Sequence, residues 1–385
     1  MSAVRTRPDL AISGEHKELR SMVRELMADT SSSATLREVM ETEDGFERKT
    51  WSTMAQLGLM ALLVPERYEG LGQGPVEASI VFEEMGRALY PGPYFASVAL
   101  ATNALLCSGD GAACSDLLPG IAAGSTIATV AMAEAVKPWS SPNTVCTSAR
   151  RNGDAWILDG SKSFVPHGHV ADLLLVTART DAGLSLFAVE PAEAGVETHA
   201  LTSLDLTRRL AAVSFVGARA RLVGADGGAD PVMASTVDRA LIALASEQAG
   251  GAARCLEMSV EYSKQREQFG RPIGSFQAIA HRCVEMLQRV EFARAASHYA
   301  AACQATQVDE LPVAARVAAA YCGRAYRWVA TENIQVHGGL GFTWEHDAHL
   351  HYRRSWASET LLGNAEEHYM AVADRVGLGP PEEVA

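Results

Sequence analysis

From Met233 onward a helical apolar period runs through Met233–Arg266, Ser275–Thr306, Leu311–Gln335 and Ala348–Val376, and two unusual turns interrupt it. The first lies in Glu261–Gln277, EYSKQREQFGRPIGSFQ, where Arg-x-Gln-Phe-Gly-x-Pro-Ile is wedged between two long helical patterns. The second is Gln335–Phe342, QVHGGLGF, a Gln followed by Gly-Gly-x-Gly at the end of a third helix. Long helices that each carry an apolar stripe must bury it against one another, so this part of the chain is held to a helical bundle.

The first third also reads as helices. In His16–Asp29, Leu19, Met22, Val23, Leu26 and Met27 recur at helical spacing and form one stripe. Helical stretches over Trp51–Val64 and Val76–Leu89 follow, with the Gly-rich loop Pro65–Gly74 between them and Pro91–Pro93 as a sharp stop. Near Thr126 the period changes to that of strands: Thr126–Ala131, Thr144–Arg150, Ala155–Leu158, Leu173–Ala178, Leu184–Val189, Val213–Val216 and Ala220–Val223. Asn152-Gly153 between two of these runs signals a tight type I′ hairpin. The expected fold class is α+β, mostly helical, in three domains: 1–124 helical, 125–232 antiparallel β and 233–385 a helical bundle.

Composition narrows the function. At 48% hydrophobic and 21% charged residues the chain is an ordinary globular protein. Its net charge of −13 argues against nucleic acid or an anionic membrane as partner. No apolar run is long enough to span a bilayer, and no leader-like apolar segment opens the sequence, so a cytoplasmic setting is expected. The seven cysteines lack C-x-x-C or metal-ligand spacing, which points to buried thiols. His346, Asp347, His349 and His351 cluster in EHDAHLHY, yet no further ligand stands at suitable spacing, and no metal is expected. Gly70–Gly74 is not followed by Lys-Ser/Thr, so it is no phosphate-binding P-loop.

The paired turns, their separation and their helical setting closely resemble the C-terminal domain of the acyl-CoA dehydrogenase family. Leu57-Gly58-Leu59, Val64-Pro65-Glu66, Gly70-Leu71-Gly72 and Glu83-Glu84-Met85-Gly86 resemble the same family's helical N-terminal domain. The resemblance covers nearly the whole chain and implies a helical domain, a β domain and a four-helix bundle. It also implies the cofactor FAD, an acyl-CoA substrate, an electron-transfer flavoprotein or similar acceptor, and a homo- or heterotetramer. The reaction implied is α,β-dehydrogenation of the thioester to a trans-2-enoyl-CoA. In that family the two turns hold FAD of the neighbouring subunit. By this resemblance Arg266, Gln268, Phe269 and Gln277 contact the pyrophosphate region, and Gln335, Gly338 and Gly339 the adenosine. The blander reading is that Gly338-Gly339 stops a helix and Arg266 is a surface charge.

The face that would serve the chain's own flavin departs from the family pattern. Where the family carries a Thr-Glu-Pro-x-Ala-Gly-Ser-Asp-like loop, Ala133–Ser141 reads AEAVKPWSS, keeping Glu134 alone. Where a hydroxyl normally lies near flavin N5, the segment is Phe164-Val165-Pro166; Phe164 remains to flank the ring, but Pro166 has neither hydroxyl nor N–H. The family's base position falls on Leu362, and the alternative used by a minority of members falls near Ala240. Neither can take a proton. Two replacement carboxylates are candidates: Glu359, three residues before Leu362, and Glu247, seven residues beyond Ala240 and ~10 Å along a helix axis. Three roles stay open: a subunit whose catalytic Glu comes from a partner chain, a self-sufficient homotetrameric enzyme with a relocated base, or a non-catalytic flavin- or acyl-CoA-binding scaffold.

Overall fold

The structure, a computed structural model, describes residues 12–134, 145–153, 155–306 and 309–378. The segment 135–144, which holds most of the AEAVKPWSS loop, lies outside them. In chain order the helices are α1 Gly14–Thr30, α2 Ser33–Met40, α3 Arg48–Gln56, α4 Pro75–Arg87, α5 Thr102–Ser108 and α6 Gly111–Ala122. Strands follow: β1 Ala128–Ala131, β2 Ser148–Asn152, β3 Ala155–Pro166, β4 Leu173–Thr180, β5 Gly183–Val189, β6 Val196–Ala200 and β7 Leu210–Val223. After them come α7 Ala229–Gln265, the small ladder β8 Glu267–Gln268 and β9 Arg271–Pro272, α8 Gln277–Thr306 and α9 Leu311–His337. The last are α10 Gly339–Phe342, α11 Ala348–Thr360 and α12 Ala365–Arg375.

These elements pack into two compact units. The first contains residues 1–31, 74–89 and 241–385, the second 32–73 and 90–240. The successive reading into helical, β and helical stretches is thus grouped differently by contact, because α1 packs on α4 and α4 packs on α8 of the C-terminal helices. Val23 and Met27 of the predicted stripe on α1 are the buried ones.

Helix α4 meets α7 at unusually short range. A Cβ on Gly86 would stand 1.9 Å from the Glu247 carbonyl oxygen, and one on Gly250 would stand 1.8 Å from that of Glu83. Only glycine permits this approach. Two consecutive glutamates of α4, both almost fully buried, then collect cations from neighbouring helices. Glu83 accepts from Arg20 at 2.8 Å, Arg294 at 2.9 Å and His298 at 3.3 Å. Glu84 accepts from Arg20 at 3.0 Å and Arg24 at 2.8 Å. Arg87, one turn on, pairs with Glu257 of α7. Burial alone would raise the Glu83 pKa; the hydrogen bond from His298 and the charges of Arg20 and Arg294 outweigh it and hold it at about 2.

In the second unit β1–β7 form one sheet in the order β1-β4-β2-β3-β7-β5, with β6 on β7. Strand β5 also pairs with β4, so β4, β2, β3, β7 and β5 close a circuit around a core that includes Leu158, Leu174, Phe187, Val213 and Phe215. The pairing is mainly antiparallel as expected, but β1 joins β4 in parallel. The hairpin at Asn152-Gly153 is present, with Asn152 opposite Ala155 and Gly153 at φ 63°. The expected strands Val213–Val216 and Ala220–Val223 are one strand. Gly217, at φ 65°, forms a bulge between them and donates its N–H to Asp159 at 2.8 Å. A second irregularity, between Lys162 and Val165, leaves Phe164 at φ 55° and 52% exposed.

The expected helical stretch Ala348–Val376 is two helices. It breaks at Leu361–Asn364, where Gly363 takes φ 105° and Asn364 caps α12 in a reciprocal capping box with Glu367. A Cβ on Gly363 would stand 3.2 Å from the His368 ring, so the break is held from behind.

Gly86→Ala and Gly250→Ala should each lower the unfolding free energy by about 1–3 kcal/mol, read by urea denaturation. Glu83→Gln should cost about 3–5 kcal/mol at neutral pH. That cost should shrink as pH falls below the ordinary glutamate range toward 2, because the wild-type carboxylate then loses its charge too.

Candidate active site and cofactor cradle

The two turns of the first unit stand out by exposure. Arg266, Gln268, Gln277, Gln335, Gly338 and Gly339 are all exposed, and Phe269 is 93% exposed. Local geometry explains why they project. Helix α7 ends as the Arg266 N–H bonds the Tyr262 carbonyl, and Ile273 N–H bonds that of Arg266 across the β8–β9 ladder. Phe269, at φ 53°, and Gly270, at φ 78°, carry the reversal. The Phe269 ring rests edge-on against Phe276 at 6.1 Å, and Phe276 in turn carries the Arg271 guanidinium at 4.1 Å. At the second turn Gly338 takes φ 58° and ψ −134°, a conformation only glycine adopts readily, and ends α9. A Cβ on Gly338 or Gly339 would meet nothing within 4 Å, so both backbones are open to an incoming group.

A dinucleotide needs a cation for its pyrophosphate, amide and aromatic groups for its bases, and bare backbone for close approach. Arg266 has no carboxylate partner among the described residues. Phe269, Gln268, Gln277, Gln335 and the two glycines supply the rest, so the residues present fit FAD.

The carboxylate candidates have different surroundings. Glu247, buried on α7, accepts from the Arg354 guanidinium of α11 at 2.8 Å, itself buried. Ala240, two turns earlier on α7, is fully buried. Glu359 lies in the last turn of α11, its side chain 8% exposed, paired with Arg327 of α9 at 2.9 Å. Burial raises the Glu359 pKa, Arg327 and Arg324 pull it down, Glu366 adds to the rise, and the balance is upward. Gly323 makes room for it: a Cβ there would stand 3.2 Å from Glu359 Cγ. Leu362 is buried within the break that follows. Glu359 and Leu362 therefore do not lie on one helix, since α11 ends at Thr360.

The histidines of EHDAHLHY have separate tasks. His351 accepts or donates at 2.9 Å to buried Tyr326, and burial drives its pKa down to about 3. His349 packs edge-on to Trp344 at 4.7 Å, and His346 faces His337 at 4.3 Å. Among the described residues no group of three or more His, Cys, Asp or Glu is disposed to hold a metal ion. No helix among them is long and apolar enough to cross a membrane.

In the second unit a fully buried lysine, which the sequence reading passed over, organises the segment before Phe164. Lys162 Nζ donates to Glu134 at 2.8 Å, and Glu134 also accepts the N–H groups of Cys146 at 2.8 Å and Thr147 at 3.0 Å. Burial lowers the lysine pKa to about 8 against the pull of Glu134. Lys162 lies beyond the run Ala155–Leu158 read as a strand, because β3 continues to Pro166, and a lysine is rarely buried without a partner.

Models of the acyl-CoA dehydrogenase N-terminal, middle and C-terminal domains match residues 13–125, 129–210 and 226–377. The chain is 34% identical over 370 residues to the acyl-CoA dehydrogenase IpdE2 of Mycobacterium tuberculosis, covering 95% of this chain and 98% of the relative. Among solved structures it is similar to the ChsE4-ChsE5 complex of Mycobacterium tuberculosis, at TM-score 0.87 and 28% identity over 97% of this chain and 100% of that one. It is also similar to the Tcur3481-Tcur3483 steroid ACAD, at TM-score 0.85 and 28% identity over 95% and 99%. The fold is that of an FAD-dependent oxidoreductase. The chain belongs to the acyl-CoA dehydrogenase family.

Arg354→Met should destabilise the protein by about 3–5 kcal/mol, because Glu247 loses its cation in a buried place. Combining it with Glu247→Leu should recover most of that loss, measured as a double-mutant cycle in urea.

Proposed function

We propose that this chain is a subunit of an acyl-CoA dehydrogenase that lends its two-turn cradle to the FAD of a neighbouring chain, while the catalytic Glu comes from a partner chain of the same family. Leu362 carries this reading: an apolar, buried side chain stands where the family places its base. Ala240 at the alternative position is equally unable to accept a proton, and Pro166 removes the hydroxyl expected beside the flavin. Arg266, Gln268, Phe269, Gln277, Gln335, Gly338 and Gly339 would hold the dinucleotide, with Phe164 at the ring.

The reaction removes a proton from Cα and a hydride from Cβ of the thioester, leaving a trans-2-enoyl-CoA. FAD, when bound, accepts the two electrons with the hydride. This chain would orient the cofactor and exclude water, and the partner's carboxylate would take the Cα proton. The two-name complexes among the similar structures support a heteromeric assembly, and the steroid ACAD supports a bulky, steroid-derived acyl group. Electrons would pass on to an electron-transfer flavoprotein or a similar acceptor, in the cytoplasm.

A second reading rests on Glu359. Its raised pKa and mostly covered side chain suit a relocated base in a self-sufficient homotetramer. Glu247, the other candidate, is tied to Arg354 and suits that role less.

Expressed alone, the chain should purify with little FAD and show no acyl-CoA-dependent dye reduction. Co-expression with a catalytic acyl-CoA dehydrogenase chain should restore both. Full flavin and turnover in the isolated chain would overturn the partner reading; loss of that turnover in Glu359→Gln, with Glu247→Gln as comparison, would then identify the base. Inactivity in every combination would leave a flavin- or acyl-CoA-binding scaffold.

A further inference from the structure

Three rings in the first unit stack in series. Tyr262, near the end of α7, lies 4.4 Å from His337 at an interplanar angle of 29°. His337, the last residue of α9, lies 4.3 Å from His346 in the segment leading to α11. Each ring belongs to a different part of the cradle. The Tyr262 carbonyl accepts the Arg266 N–H that opens the first turn, His337 adjoins Gly338, and His346 follows the second turn.

We propose that the Tyr262–His337–His346 stack is a pH-sensitive positioning element that holds the Arg266–Gly270 turn and the Gly338–Gly341 turn in the relation a dinucleotide requires. The inference rests on the reading of these turns as a cofactor cradle.

Protonation states follow from the hydrogen bonds. His337 is buried, and its Nδ1 donates to the Asn333 carbonyl at 2.8 Å, so Nε2 is the nitrogen open to a proton. His346 Nδ1 accepts the Ala348 N–H at 3.2 Å, so protonation there removes an acceptor at the start of α11. Among the groups facing the stack are the Tyr262 phenol from α7, the Asn333 carbonyl from α9 and the Ala348 N–H. Glu345 and Asp347 flank His346 in the chain, and Arg353 of α11 lies over Trp344 at 4.9 Å.

Charging both imidazoles would set two cations in contact, with ring centroids 4.3 Å apart and planes tilted by 42°, which the low-dielectric interior disfavours. Burial lowers the His337 pKa; the Asn333 carbonyl opposes this and a charge on His346 adds to it. A depressed histidine pKa means that the unfolded chain binds the proton more readily. The stack's contribution is therefore present above the ordinary histidine range and is lost as pH falls through it.

The test is amide hydrogen exchange on the full chain without added flavin, from neutral to about pH 5, read as protection factors for Arg266, Ile273, Gly338 and Gly341. In the wild type, protection at both turns should fall together, by about tenfold across that range. The double variant His337→Phe/His346→Phe keeps three rings without the titration and should hold its protection throughout. His337→Ala should leave both turns weakly protected at every pH. Parallel loss of protection in the wild type and the Phe/Phe variant, or independent behaviour of the two turns, would overturn the proposal. FAD added to the same samples separates the two readings. Exchange as expected with no FAD retained, alone or with a partner chain, sinks the cradle and leaves the stack standing. FAD retained without the exchange pattern does the reverse.

Discussion

Helix α4 approaches α7 so closely that Gly86 and Gly250 each face a backbone carbonyl of the other helix where a methyl group could not fit. Once these backbones touch, Glu83 and Glu84 are carried into the interior and can remain charged only if cations follow them. Arg20 and Arg24 on α1, Arg87 on α4 and Arg294 on α8 provide those cations. The same contact orients α7, whose next side chain on this stretch, Glu247, reaches Arg354 on α11. Close packing and charge pairing are thus one arrangement. The glycines make the glutamates buried, and the buried glutamates select the helices that may pack there.

Chemistry in this unit is divided between covered carboxylates and open turns. Glu247 and Glu359 are both paired, with Arg354 and Arg327, and burial pushes Glu359 toward the neutral form. The cradle residues carry the opposite property. Arg266, Phe269, Gly338 and Gly339 are exposed on turns shaped by positive-φ residues and, at the first turn, a short ladder.

Much of this was legible in residue order. Helix stripes, the Asn152-Gly153 hairpin and the two C-terminal turns are local patterns, and local patterns are set by residues a few positions apart. The joined strand β7 was not legible there, because the Gly217 bulge that looks like a strand end is accommodated by Asp159 from another strand. The break at Leu361–Asn364 was hidden inside a continuous helical period, although Gly363 and the Asn364–Glu367 capping box are local signals that mark it in retrospect.

Order of residues by itself therefore determined the element types, the bundle-forming stripes and the turn chemistry. Tertiary structure decided which carboxylates are paired, that Lys162 is buried on Glu134, that Tyr262, His337 and His346 share a stack, and that α1 and α4 pack with the last helices. The physical reason is range. Helix period and turn conformation depend on neighbours in the chain, whereas burial, ion pairing and ring stacking depend on groups brought together from distant positions, whose partners no single segment specifies.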